Sequence, residues 1–514
     1  MPKTNPYRCK SCGYVFVEPK LYVSGGAKVK MCPFCDGEEI EEFETIPDEK
    51  ELNVLGEIPE RSLPDIPHEE IEKNKDKNSK YTKIDKKGRF RHLPRIKKLK
   101  NFIVERDLQY FLLFLIIFAV LTKSSIDPWN GRSRMATIDS LVDRGTFVID
   151  NSVYVRTGDK VYINGHFYSD KPPVLSFLAA GPYFLMKSVG LTFQNNEGLV
   201  YYLLTLIFVG TPAAITVYVF NKSLKLVGLE KSVRLRLTIA LGAGTLLLPW
   251  ATVFNNHVPA MALCFTSFYF LLKSKFQFNK KNIFLAGFLV SLGATIDVVA
   301  GPVFFVLFLI YILWNRFERK SIMIFLIGVL PPFLLHCILN IQITGGILPA
   351  ELVPQYFLYP GSPWLPEQLA GFASWQDLTS LLTYAFHSTF GYSGFFSHSP
   401  ILLIFFFALP QIRHKLKKEG VIITLATIIL LGFYIVGTNN YGGWSYSIRW
   451  WIPLIPFLMF FGSLYLQKQK SYKIFYLLLA ASVVISAVGI ISPWTNMGLG
   501  PIPFVNNLKQ LLGW

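Results

Sequence analysis

Beyond residue 35 the sequence has only two cysteines, Cys264 and Cys337, and no group of residues with the spacing of a metal site. That argues against a disulfide-stapled scaffold, and no catalytic metal is expected. Both cysteines fall in apolar runs and read as packing residues. The first 100 residues contain no apolar run, so no signal peptide opens the chain and the N-terminus is expected in the cytoplasm. Charge is scarce, at 17% of 514 residues, and acid is scarcer than base, with 34 Asp and Glu against 51 Lys and Arg. The resulting +17 would suit a nucleic-acid partner if it covered a polar surface. Most of the Lys and Arg instead flank apolar runs, where the positive-inside bias accounts for them, so nucleic acid is not an expected partner. Internal repeats, which many transporters show in two matched halves, are also missing.

In excess are hydrophobic residues, at 51%, bunched into long runs separated by basic punctuation. This predicts a mostly α fold, a polytopic membrane helix bundle. Apolar runs place spans near 106–123, 198–220, 237–254, 257–273, 282–298, 301–315, 321–342, 399–411, 421–437, 451–466 and 473–492, about eleven in all. With the N-terminus inside, the basic loops 222–236, 273–281, 316–320, 413–418 and 468–473 all fall in the cytoplasm. Counting the apolar run 174–187 as a further crossing would invert every later loop, so it is expected as a juxtamembrane or re-entrant helix. The chain is expected to be a multi-pass protein of the cell membrane, in contact with its lipid.

Residues 1–45 carry Cys9, Cys12, Cys32 and Cys35, two CxxC pairs that set four thiolates in the tetrahedral arrangement of a structural zinc. The pattern resembles zinc ribbons. The flanking Cys-Gly-Tyr and Cys-Pro-Phe-Cys are also similar to rubredoxin knuckles, which makes iron the alternative metal. Metal binding would supply the folding energy of so small a unit, and docking of a cytoplasmic protein is one use for it. Residues 46–105 turn from acidic to basic with few apolar residues and read as a disordered linker. The rest, 106–514, is the transmembrane domain.

Within that domain the loop 124–173 is too long for a connector and interleaves charges with aromatic and β-branched residues, so it reads as folded and functional. The same topology puts Asn256, His257, Asp297, a second large segment at 344–398 and the stretch 438–451 on the outer face. One polar chamber is the simplest account, with Tyr168, Asn256, His257, Asn440 and Tyr441 as candidate wall residues. Asp297, an ionisable group near the end of an apolar run, marks a paired group or a wet cavity.

The order of these features resembles the GT-C superfamily of integral-membrane glycosyltransferases, in the branch of protein O-mannosyltransferases and the aminoarabinose transferases that modify lipid A. The resemblance is carried by the first span and the charged loop after it, by the motif Arg-x-x-x-Ile-x-x-Leu-Val-x-Arg-Gly-Thr from Arg134 to Thr146, and by Tyr168-Ser169-Asp170-Lys171-Pro172-Pro173. It implies inverting transfer of a hexosyl or pentosyl group from a polyprenyl-phosphate donor to an envelope glycan, lipid or protein acceptor on the outer face. It also implies that Lys171 approaches the lipid phosphate. Arg134 and Arg449 are further candidate cations for that phosphate. Family members carry an acid two or three residues before the equivalent of Arg134, but Gly131 and Arg132 stand there. The general base is therefore expected at Asp127, with Asp170 and Asp297 as alternatives. From a different class, a non-catalytic lipid-glycan transporter or membrane scaffold, docked through the ribbon, is the competing expectation.

Overall fold

The computed structural model describes residues 7–9, 15–16, 20–24, 27–31, 40–42 and 99–513, except 127, 316, 318, 366–368, 370, 372, 376, 412–415, 470 and 496–499, with side chains from 107 onward. Two compact units emerge, Met1–Lys100 and Asn101–Trp514. The first contains β1 (Tyr7–Cys9), β2 (Val15–Phe16), β3 (Lys20–Ser24), β4 (Ala27–Met31) and β5 (Ile40–Glu42). They form an antiparallel sheet in the order β2-β1-β5 and a β3-β4 hairpin. The expected metal ligands Cys12, Cys32 and Cys35 and the side chain of Cys9 lie outside the described residues, as does the linker up to residue 98.

The second unit is mostly helical. After α1 (Leu99–Leu121), the 124–173 loop holds α2 (Trp129–Arg144) and the strands β6 (Lys160–Ile163) and β7 (His166–Ser169), and it ends at α3 (Pro173–Ser188). Then α4 (Phe193–Thr205) and α5 (Thr211–Leu226) run on through a π-helical turn, Leu206–Gly210. There follow α6 (Lys231–Ala243), the single turn α7 (Leu247–Trp250), α8 (His257–Phe276), α9 (Lys280–Ile296), α10 (Ala300–Trp314) and α11 (Arg319–Thr344). The 344–398 segment carries two 3-10 turns, Ala350–Leu352 and Pro354–Phe357, and α12 (Leu378–Thr389). The chain closes with α13 (Ile404–Ala408), α14 (Lys417–Gly437), α15 (Ile455–Gln467), α16 (Lys473–Ile491) and α17 (Pro503–Leu512).

Among the described residues five helices are long and apolar enough to cross a membrane: Phe193–Leu226, Arg319–Thr344, Lys417–Gly437, Arg449–Gln467 and Lys473–Ile491. Shorter apolar helices are Asp107–Leu121, Ala300–Trp314 and Pro400–Gln411. The chain is thus a multi-pass membrane protein. Its α11 shows why: Met323, Ile327, Leu330, Leu334 and Ile338 are all exposed, a surface that only lipid would cover at low cost.

The expected span 237–254 is not one helix. Its apolar run is right, but α6 ends at Gly244, and Thr245 turns its hydroxyl on the backbone, accepting from the Leu247 N–H at 3.2 Å. Glycine and a competing hydroxyl both weaken a helix, and periodicity cannot register the break. The outcome is a buried, non-helical stretch after α7 that delivers Asn255, Asn256 and His257 to the interior.

Packing is tightest where side chains are smallest. A Cβ on Gly287 of α9 would lie 2.0 Å from the Phe325 carbonyl oxygen of α11, and one on Gly328 of α11 would lie 2.2 Å from that of Phe284. The two helices therefore approach backbone to backbone, the small-residue contact favoured between membrane helices. Elsewhere in the bundle, aromatic rings fill the space. Phe304 stacks on Phe457 at 4.4 Å, and Phe268 meets Phe460 edge-on at 5.3 Å, locking α8, α10 and α15 together.

Candidate active site

The site begins with a two-residue turn. Asn164 and Gly165 both take positive φ, 49° and 91°, the requirement of a tight hairpin turn that matches strand twist. The β6-β7 register that follows pairs Lys160 with Ser169, which sets Asp159 opposite Asp170 at the open end of the hairpin. Lys171 lies next and is followed by Pro172, whose ring disfavours a helical conformation in the residue before it. The helix α3 starts only at Pro173, and Lys171 Nζ is left between the two carboxylates, 2.9 Å from Asp159 Oδ2 and 2.6 Å from Asp170 Oδ2. Burial alone would lower the Lys171 pKa, but Asp159 and Asp170 outweigh it and hold the ammonium charged.

Arg134 comes from α2, which is fastened to the end of this hairpin. Ser133 Oγ lies 2.6 Å from Ser169 Oγ and donates to Asp170 Oδ1 at 3.2 Å. The helix stops at Gly145, in the left-handed region at φ 66°. Arg134 is 1% exposed, and Nη2 donates to Asn256 Oδ1 at 2.7 Å. Its Nε and Nη1 have no partner among the described residues. Burial pulls its pKa down, against the carboxylates of Asp170, Glu351, Asp159 and Asp297.

Asn256 and His257 stand where the broken run re-enters helix at α8. Asp297 ends α9, and its Oδ1 accepts from the Val299 and Ala300 N–H groups at the start of α10, at 3.3 and 3.0 Å. Its Oδ2 is 2.8 Å from His257 Nδ1. Arg449 opens the stretch that leads into α15 and donates through Nη1 to the Gly442 carbonyl. Its guanidinium lies over the Trp494 ring at 4.9 Å. The loop that supplies this carbonyl is unusual: Tyr441, Gly442 and Gly443 all have positive φ.

These groups converge on a cavity of about 200 Å³. Of the residues expected at the site, Arg134, Asp170, Lys171, Asn256, His257, Asp297, Asn440 and Arg449 line it. Tyr168 and Tyr441 lie off its wall; Tyr441 packs instead against Tyr384 and Tyr392, at 4.5 and 5.3 Å. Asp127 is outside the described residues.

Two carboxylates on the wall had no assigned role in the sequence: Asp159, and Glu351 from the 344–398 segment. That segment is fixed to the hairpin loop at three points. Trp364 Nε1 donates to the Gly158 carbonyl at 3.0 Å, Tyr359 meets Phe167 edge-on at 5.2 Å, and the turn Pro354–Phe357 packs on β6. One sequence signal pointed to Glu351: it is the single acid between Glu318 and Glu367, a few residues past the end of α11. Burial, with Asp170 and Asp297 adding to it against the pull of Lys171 and Arg134, pushes its carboxyl up to about 8.

Fold and site together define a multi-pass membrane protein whose polar loops converge on a cavity walled by three cations and four carboxylates among the described residues. Neither a family model nor a curated protein matches the chain. Among solved structures it is similar to ArnT from Cupriavidus metallidurans in the apo state, with 12% identity and a TM-score of 0.48 over 81% of this chain and 69% of that one. It is also similar to ArnT from the same organism bound to undecaprenyl phosphate, with 13% identity and a TM-score of 0.44 over 71% and 60% of the two chains.

Proposed function

We propose that the chain is a membrane glycosyltransferase that moves a sugar from a polyprenyl-phosphate donor to an envelope acceptor, with the donor phosphate held by Arg134, Lys171 and Arg449. The observation that carries this reading is Arg134, a buried guanidinium with two donor nitrogens unpartnered among the described residues, facing a cavity shared with two other cations. Burying unpaired donors is costly and is retained where a ligand completes them. A planar fork of N–H groups matches phosphate geometry. The Lys-Pro-Pro corner that the sequence shares with GT-C transferases supplies the second cation, and it supports a lipid phosphate as the anion.

The chemistry follows from the charges. The acceptor oxygen attacks the anomeric carbon, and the bond from that carbon to the phosphate oxygen breaks. The electron pair leaves on the polyprenyl phosphate, which gains negative charge as it departs. Cations fixed in place before the reaction favour that charge most in the transition state, which is how they accelerate the step. His257 and Asp297 serve as a brace: their mutual bond and the capping of α10 hold Asn256, and through it Arg134. The test is transfer of label from polyprenyl-phosphate sugars by the purified protein in lipid, comparing wild type with Lys171→Ala. Loss of transfer by about 10²-fold or more in the variant is expected; equal rates would refute the phosphate assignment.

A further inference from the structure

An inverting transfer needs a group to take the acceptor's proton, and the cavity offers four carboxylates among the described residues: Asp159, Asp170, Asp297 and Glu351. Three are committed. Asp159 and Asp170 both grip Lys171 Nζ, and Asp170 also accepts from Ser133. Both oxygens of Asp297 are taken, one by His257 and the other by backbone N–H groups of α10. To recruit any of these as a base would uncouple Lys171 or unseat α10. Glu351 differs: it lines the cavity, is half-buried, and makes no hydrogen bond or ion pair with a described residue.

Its backbone is nevertheless well fixed. The Leu352 N–H donates to the Pro349 carbonyl at 3.0 Å and the Val353 N–H to that of Ala350 at 3.1 Å, while Ala350 and Phe357 on either side are buried. A carboxylate held by its backbone and unengaged at its head is what a proton acceptor for an incoming substrate requires.

We propose that Glu351 is the general base of the transfer, a role that rests on the transferase reading above. Its carboxylate takes the proton of the acceptor hydroxyl as that oxygen bonds to the anomeric carbon, and the phosphate oxygen leaves with the electron pair. The proton on Glu351 then passes to water, which restores the carboxylate for the next turnover. The charged and titratable groups that share its cavity are Asp159, Asp170 and Lys171 from the hairpin loop, Arg134 of α2, His257, Asp297, Tyr434 of α14 and Arg449. The raised pKa of Glu351 fits the role, since it makes the carboxylate a stronger base than an ordinary one.

The experiment compares the full-length wild type, Glu351→Gln and Glu351→Asp in lipid, with labelled polyprenyl-phosphate sugars and crude envelope acceptors, measuring transfer from pH 6 to 9.5 and donor binding separately. Expected are a wild-type rate that rises with pH through about 8 and then levels, and a loss of about 10² to 10⁴-fold in Glu351→Gln with donor binding retained and the pH dependence gone. Glu351→Asp recovers part of the rate. Glu351→Gln transferring at the wild-type rate would overturn the base assignment and leave the transferase reading standing. A wild type that binds and transfers no donor overturns both.

Discussion

The Trp364 indole donates to the carbonyl of Gly158 across 206 positions of sequence, at 3.0 Å. Gly158 has no room for a side chain, since a Cβ there would lie 2.5 Å from Cε3 of Trp129. The Trp129 ring in turn meets Trp364 edge-on at 6.2 Å. The residue after Gly158 is Asp159, one of the two carboxylates on Lys171. This tie therefore fixes the segment carrying Glu351 to the one carrying Lys171, and the proposed site geometry depends on it.

Trp364→Phe keeps a ring and removes the hydrogen bond, so it should cost about 1 kcal/mol locally and lower transfer less than tenfold. Trp364→Ala also removes the ring contact and should lower transfer by about tenfold or more. In the alanine variant, limited proteolysis should cut faster between residues 345 and 377. An unchanged cleavage rate would show that the tie is incidental.

Arg134 gives a prediction in which stability and activity part. Among the described residues no carboxylate is bonded to its buried charge, so Arg134→Met removes a costly unpaired cation and fills the space with apolar atoms. Thermal unfolding in detergent should show a Tm equal to or above that of wild type, with transfer reduced by about 10²-fold or more. A large drop in Tm would mean that Arg134 is a structural strut.

Lys171 is expected to behave in the opposite way. Lys171→Ala leaves Asp159 and Asp170 facing each other across the open end of the hairpin with no cation between them. Removing one partner from a buried pair costs about 3 to 5 kcal/mol, so Tm should fall along with activity. Adding Asp159→Asn to Lys171→Ala should restore much of the Tm but none of the transfer. Recovery of transfer in the double variant would rule out Lys171 as a phosphate ligand.

Glu351 leaves a signature in stability as well as in rate. Its carboxyl stands at about 8 in the folded chain against an ordinary 4.5. Between those pH values the folded state binds a proton that the unfolded state has released, so this group's contribution is full below the lower value and is lost as pH rises through the upper one. Wild-type Tm should therefore decline from pH 5 to 8.5 more steeply than that of Glu351→Gln. Parallel curves would place the carboxyl back in its ordinary range.

Much of this architecture was written in local pattern. Apolar run length set the long helices, and the polar, aromatic-rich stretch 124–173 announced a folded loop. Its Asp-Lys-Pro-Pro ending put Lys171 at a corner, because proline constrains the residue before it. Three things were hidden. The break after α6 depends on one threonine hydroxyl competing with the backbone, a detail an apolar average smooths over. Asp159 reached the site through a hairpin register, and Glu351 through the long-range tie to Gly158; the isolation of Glu351 as an acid marked the residue, but nothing in the spacing told where either would lie. Tyr168 and Tyr441 were expected in the chamber, but the first lies off its wall and an aromatic cluster engages the second.

The claim that the cavity is a sugar-transfer site is tested most directly by one assay: purified protein in lipid, labelled polyprenyl-phosphate sugars, and crude envelope acceptors. Label should move from at least one donor to an acceptor, and the transfer should be abolished in both Arg134→Met and Lys171→Ala. Folded wild-type protein that transfers label from no donor, or transfer that survives in both variants, would contradict the claim.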